Sequence, residues 1–133
     1  MIGLDTNVLI RYFTQDDEAQ ARAASQLIGG LTDDEPGFIS VVVLVEMIWV
    51  LRRSYRLPHD EILVLVEDLM RTRELRIQHP AEVQKALRSS RASSADFADA
   101  LTSRLGISAG CETTVTFDRA ASKLDGMKLL KTR

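Results

Sequence analysis

A chain of 133 residues is long enough to fold as one domain with a buried core. Its 45% hydrophobic and 27% charged residues are typical of an ordinary globular protein. The net charge of −2 gives no overall electrostatic signature of nucleic-acid binding. The single cysteine, Cys111, excludes an internal disulfide, and the sequence has no Cys/His cluster for zinc. The first residues do not resemble a targeting segment, so we expect a cytoplasmic protein.

The hydrophobic pattern predicts strands that alternate with helices along the chain. The predicted strands cover 1–4, 38–40, 75–77, 113–116 and 127–130. The predicted helices cover 8–13, 16–28, 41–51, 58–70, 80–90 and 96–105, with a short helical stretch after 119. The small, polar segment 89–94 is expected to connect two helices. Such alternation predicts an α/β fold with a parallel sheet covered on both faces, in a single domain over 1–133.

Asp5 lies between the first predicted strand and the first predicted helix. In open α/β sheets, ligands bind in the crevice beyond the carboxyl ends of the strands. Asp5 is therefore a candidate functional carboxylate. Its alternative role is helix capping, beside Thr6 and Asn7, which are both good N-cap residue types.

Glu46 is the one charged residue of the predicted helix 41–51. A glutamate inside such an apolar run is costly to bury unless it is paired or bound to a metal. Alternatively, Glu46 faces solvent at the polar edge of an amphipathic helix.

Further acids follow the same logic in the second half of the chain. Asp118 directly follows the fourth predicted strand, so neighbouring strands would place it in the same crevice as Asp5. Asp96 and Asp99 are three residues apart, which places them on one face of a helix. The separations fit no local metal-binding loop, so the fold itself has to assemble any shared site. The alternative is a set of unrelated surface or capping acids.

Clustered carboxylates repel one another and do not ionise together without compensation. A divalent cation is the usual compensation, and ligands that are all oxygen favour Mg²⁺ or Mn²⁺ over zinc. Such a site binds phosphate oxygens and activates water. The acids therefore indicate hydrolysis of phosphodiesters.

Four motifs in this order resemble the PIN-domain ribonucleases, and most closely the VapC-type toxins of bacterial toxin–antitoxin pairs. The motifs lie at 4–10, at 39–40 leading to Glu46, at 96–101 and at 114–119. The resemblance implies a three-layer α/β/α fold with a parallel sheet of about five strands. It also implies Mg²⁺- or Mn²⁺-dependent endoribonuclease activity, in which activated water leaves a 5′-phosphate and a 3′-hydroxyl.

The resemblance also assigns roles to residues. The acids that match the metal ligands and catalytic residues of the family are Asp5, Glu46, Asp99 and Asp118. The residues in supporting positions are Thr6, Asn7, Asp96 and Thr116. Asp96 either orients Asp99 or a water molecule, or only caps its helix.

Basic and aromatic residues are candidates for contacts to RNA. The candidate phosphate contacts are Arg11, Arg52, Arg53, Arg91 and Arg119, each alternatively an ordinary solvated charge. Arg119 is favoured because it follows Asp118. Trp49 and Tyr12 either stack on a base or belong to the core or to a dimer interface. The resemblance further implies a homodimer and a cognate VapB-type antitoxin protein that inserts a segment near the site.

Several rival functions are compatible with the same residues. A phosphotransferase of the haloacid-dehalogenase type would use Asp5 as a nucleophile, but it requires a second aspartate where this chain has Asn7. A DNA nuclease related to flap endonucleases would be longer and more acidic. A housekeeping PIN nuclease of RNA processing and a non-catalytic binding module with the same fold are compatible with the motifs as well.

Overall fold

The computed structural model describes residues 1–93 and 95–132. The chain divides into two compact units, Met1–Gln78 and His79–Arg133, which we call the N-terminal and C-terminal units and describe separately. Among the described residues, no helix has both the length and the apolar character needed to cross a membrane.

The N-terminal unit contains a parallel sheet of three strands in the order β1-β2-β3. Its elements are β1 (Ile2–Gly3), α1 (Thr6–Thr14), α2 (Glu18–Gly29), β2 (Gly37–Ile39), α3 (Val41–Arg53), α4 (His59–Arg71) and β3 (Leu75–Ile77). Gly3 pairs with Phe38, and Phe38 pairs with Arg76. The helices bury one face each: in α3 the buried residues are Leu44, Met47, Ile48 and Leu51, at the spacing of a helix stripe.

The C-terminal unit pairs two helices and two strands. Its elements are α5 (Pro80–Ser93), α6 (Phe97–Ser108), β4 (Thr114–Thr116), a 3₁₀ helix (Ala121–Lys123) and β5 (Met127–Leu129). The two strands are parallel, with Thr116 opposite Leu129. Phe97 is fully buried and is the largest such side chain in this part of the molecule. The α/β class and the parallel pairing predicted from the sequence are thus confirmed, and the five described strands pair as a group of three and a group of two. The single domain over 1–133 stays a prediction.

The predicted connection over 89–94 is wrong for its first five residues, because α5 continues to Ser93. Val83, Leu87 and Ser90 form a buried stripe on this helix, and the hydroxyl of Ser90 donates a hydrogen bond to the carbonyl of Ala95. Packing therefore overrides the weak helix propensity of these small residues. Ser94 lies outside the described residues.

A polar network fixes the end of α1 to the segment after α3. The guanidinium of Arg11 donates to Asp16 at 2.9 Å and to Tyr55 at 3.1 Å. The hydroxyls of Tyr55 and Thr14 donate to Asp16 at 2.6 and 2.7 Å. These hydrogen bonds, first of all the one from Tyr55, lower the pKa of Asp16 from 3.8 to about 2.

The lowered pKa of Asp16 predicts an acid-dependent loss of stability. Because the native state favours the ionised carboxylate, its stabilisation is complete above about pH 4 and is lost as the pH falls towards about 2. Urea unfolding across this range should show a steeper fall in the free energy of unfolding for wild type than for Asp16→Asn. Asp68→Asn, which changes an exposed acid on α4, should retain the wild-type slope. Equal slopes for Asp16→Asn and wild type would contradict the role of the network.

Gly126 and Gly110 both have a positive φ, of 85° and 96°, which side chains rarely adopt. A Cβ at Gly126 would also lie 2.8 Å from Cδ1 of Ile107 and 2.9 Å from Oγ of Ser103, whereas no described heavy atom lies within 4 Å at Gly110. The turn before β5 thus requires glycine for both conformation and space.

Alanine at these two glycines separates conformational strain from crowding. Gly110→Ala should destabilise the protein by about 1–2 kcal/mol through strain alone. Gly126→Ala should cost about 1–3 kcal/mol more through overpacking. Denaturant unfolding of both variants measures the difference, and equal losses would show that the α6 side chains move aside freely.

Candidate active site

Asp5 occupies the N-cap position of α1 with an extended backbone, and its carbonyl accepts the first hydrogen bonds of the helix. No described backbone amide donates a cap hydrogen bond to its side chain. Asp17 differs, because its carboxylate caps α2 by accepting from the amide of Gln20. Asp5 is also exposed, so its carboxylate is accessible to a ligand beyond the end of β1.

Thr6 links the turn at Asp5 to α3. Its side chain is only 4% exposed, and its hydroxyl donates a hydrogen bond to Oε1 of Glu46. The carboxylate of Glu46 is exposed, as expected for the polar edge of an amphipathic helix, and it is held at this position by Thr6. The structure thus connects two of the predicted acids, Asp5 and Glu46, through one buried threonine.

Asp99 lies in the first turn of α6 and is partly buried. Burial raises the pKa of its carboxyl group above the usual range, and the negative charges of Asp96 and Asp118 raise it further. The carboxyl group of Asp99 is therefore influenced by two other acids within the C-terminal unit.

Asp96 is the N-cap of α6, because its Oδ1 accepts a hydrogen bond from the amide of Ala98 at 2.8 Å. The capping interpretation is therefore correct for this residue, and it fixes the first turn on which Asp99 lies. An additional role in orienting a ligand stays a prediction.

Asp118 follows β4 in a loop with defined hydrogen bonds. Its amide donates to the hydroxyl of Thr116 at 3.0 Å. Its Oδ1 accepts from the amides of Ala120 and Ala121 at 2.8 and 3.1 Å. The other carboxylate oxygen, Oδ2, accepts no described hydrogen bond. Phe117, to which the sequence assigned no role beyond its motif, is 67% exposed in this loop.

Three further predicted residues, Asn7, Arg11 and Arg119, differ in exposure and in hydrogen bonding. Asn7 is exposed, and no described hydrogen bond involves its side chain. Nε and Nη1 of Arg11 are occupied by Gln20, Asp16 and Tyr55, which gives this arginine a structural role beside the predicted phosphate contact. Arg119 is exposed next to Asp118.

The aromatic candidates are not core residues. Trp49 is 57% exposed, and the guanidinium carbon of Arg53 lies 5.3 Å from its ring centroid. Tyr12 is also exposed at the surface of α1, with its ring in an edge-on contact with Phe13. Both are accessible to a partner.

The donor chemistry of the acids fits Mg²⁺ or Mn²⁺. Neither unit contains, among its described residues, a group of three or more His, Cys, Asp or Glu side chains arranged to hold a metal. However, every candidate ligand is a carboxylate, and Asp99 shows repulsion that a bound cation would relieve. The candidate ligands in each unit are therefore all oxygen donors.

A comparison with protein families matches a model of the PIN domain to residues 2–127. The match includes residues of both units and all four acidic motifs. No curated protein matches the chain. The chain therefore belongs to the PIN domain family, whose members are generally metal-dependent nucleases.

Proposed function

We propose that the protein is a Mg²⁺- or Mn²⁺-dependent endoribonuclease and the toxin of a VapBC-type toxin–antitoxin pair. The observation that supports this most is the arrangement at the end of β1. There Asp5 occupies a cap position without using its carboxylate as a cap, and Thr6 holds Glu46. A structural role alone would not require an exposed carboxylate and a buried hydroxyl bond at the same turn.

The proposed ligands of the cation are Asp5, Glu46, Asp99 and Asp118. When bound, the cation stabilises negative charge on the phosphate and makes water a better nucleophile. Thr6 positions Glu46, and the Asp96 cap fixes the turn that presents Asp99. Thr116 and the amides of Ala120 and Ala121 fix Asp118.

Basic side chains complete the proposed site by binding the RNA backbone. Arg119 is exposed next to Asp118, where it can contact a phosphate that enters the site. Arg11 is held in one orientation by Asp16 and Tyr55, which reduces the entropy lost when its remaining nitrogen binds a phosphate. Asn7 is exposed on the first turn of α1 and supplies an uncharged donor.

Cleavage of labelled total RNA by the purified protein tests the nuclease activity. Wild type should cut with Mg²⁺ or Mn²⁺ and not with EDTA. Asp5→Asn and Asp99→Asn should each reduce the rate by more than about 100-fold, since even the outer partners of metal ligands are typically worth 10–100-fold. Asp68→Asn and Asp125→Asn, which change exposed acids in the two units, should cut like wild type.

The products and the controls decide between the rivals. A 5′-phosphate and a 3′-hydroxyl are expected at the cut, because water attacks the phosphorus and the 3′-oxygen is the leaving group. Equal cutting by wild type and all variants would identify a contaminant and contradict the site. Cleavage of DNA in preference to RNA would favour the flap-endonuclease relationship, and a labelled phospho-aspartate at Asp5 would favour the phosphotransferase.

The toxin role predicts an effect on growth. Expression of wild type in bacteria should arrest growth, and Asp5→Asn should abolish the arrest at equal protein levels, because the proposed toxicity is RNA cleavage in the cytoplasm. Co-expression of a VapB-type antitoxin encoded beside this chain should restore growth and co-purify with it. Normal growth of cells that contain RNA-cleaving wild-type protein would instead favour a housekeeping nuclease.

A homodimer is part of the same proposal. Val42 and Trp49 are 74% and 57% exposed on α3 and lie about two turns apart on one face of the helix. Exposed apolar residues aligned on one helix face are typical of interfaces between protein chains. The stacking of Arg53 on Trp49 gives this face the aromatic and arginine character that is enriched in such interfaces.

A further inference from the structure

The strand pair of the C-terminal unit has an exposed face with apolar and basic side chains. We call it the β4–β5 outer face and define it by Val115, Phe117, Lys128 and Leu130. Val115 pairs with Lys128 across the two strands, and the amide of Leu130 extends the ladder by donating to Thr116 at 2.7 Å. Val115 and Lys128 therefore lie on one face of the strand pair, and Phe117 and Leu130 directly follow the ends of β4 and β5.

The apolar side chains of this face are unusually exposed to solvent. Val115, Phe117 and Leu130 are 56%, 67% and 46% exposed, and Lys128 is exposed beside them. Single exposed apolar residues are normal on a protein surface, but several side by side indicate a binding surface. Phe117 has the largest exposed fraction of the three and presents a ring.

The charge distribution favours an anionic occupant. The segment 79–133 has nine Lys and Arg against six Asp and Glu, whereas 1–78 has eight against thirteen. The overall charge of −2 therefore conceals a basic C-terminal segment. Lys128 lies on the β4–β5 outer face. The exposed Arg119 follows Phe117 by two residues in the chain, and the exposed Lys131 directly follows Leu130.

Phe117 is adjacent in the chain to Asp118, a proposed metal ligand. The hydrogen bonds from Asp118 to Thr116 and from Ala120 and Ala121 to Asp118 fix the loop that presents both residues. A base stacked on Phe117 would thus belong to a nucleotide close to the phosphate at the site. An aromatic ring beside cations is the usual platform for unpaired nucleotides, because every base has a face that stacks.

We propose that the β4–β5 outer face binds the RNA strand next to the cut, with Phe117 stacked on an unpaired base and Lys128 on a phosphate. This inference rests on the proposed ribonuclease function and adds a positioning surface to it. A second protein chain is the competing occupant, and the basic charge of the segment argues for RNA.

Fluorescence anisotropy with an unstructured, labelled RNA of about 12 nucleotides tests the surface. The wild-type chain is used in EDTA, so that binding is measured without metal-dependent cleavage. Phe117→Ala should weaken binding about tenfold, and Phe117→Trp should retain it. Lys128→Gln should weaken binding about threefold and reduce the salt dependence by about one phosphate contact.

Matched controls separate this surface from general effects. Val64→Ala removes an exposed apolar side chain from α4, and Lys85→Gln removes an exposed cation from α5; both should bind RNA like wild type. Thermal unfolding of Phe117→Ala should match wild type, because the ring is mostly exposed. Light scattering measures the mass of each protein in solution.

The outcomes distinguish this inference from the function on which it rests. RNA binding by Phe117→Ala and Lys128→Gln within twofold of wild type would overturn the surface even where wild type cleaves RNA. Loss of RNA affinity confined to these two variants would support the surface, even if no cutting were found with Mg²⁺. A change in mass for Phe117→Ala without a change in RNA affinity would show a protein interface and overturn the proposal.

Discussion

Parallel pairing of β1 with β2 is the constraint on which the N-terminal part of the candidate site depends. The amide of Leu4 donates to Phe38, so the two strands end side by side and their helices, α1 and α3, begin side by side. This arrangement brings Thr6, at the start of α1, to Glu46, one and a half turns into α3. A one-residue shift in the pairing of β1 with β2 would turn the side chains of the shifted strand to the other face of the sheet. The hydrogen bond between Thr6 and Glu46 would then break.

The carboxylates of the candidate site differ in their surroundings. Some accept hydrogen bonds from backbone amides, whereas Asp99 is partly buried near other acids. Oδ1 of Asp96 and Oδ1 of Asp118 each accept hydrogen bonds from backbone amides, which fix the positions of these carboxylates. The pKa of the Asp99 carboxyl group is raised by burial and by the negative charges of Asp96 and Asp118. A bound cation would therefore favour the ionised form of Asp99.

Most strands and helices, and the strand-end positions of two acids, could be predicted from the sequence, because apolar alternation and helix periodicity are local signals. β3 was predicted at its observed bounds, and the positions of Asp5 and Asp118 at strand ends follow from the same pattern. The hydrogen bond between Thr6 and Glu46 joins residues 40 apart and depends on strand order, which no local pattern gives. The length of α5 depends on the burial of Ser90, and the exposure of Phe117 depends on the path of the chain after β4, both of which are set by the fold.

The fixed loop at Asp118 has a consequence for the choice between cations. With Oδ1 committed to the amides of Ala120 and Ala121, this carboxylate offers a metal ion one oxygen and not two. Calcium commonly takes both oxygens of a carboxylate and tolerates irregular coordination, whereas magnesium takes one from each and keeps several waters. With Asp118 as a ligand in the proposed site, the backbone of this short loop would therefore disfavour calcium.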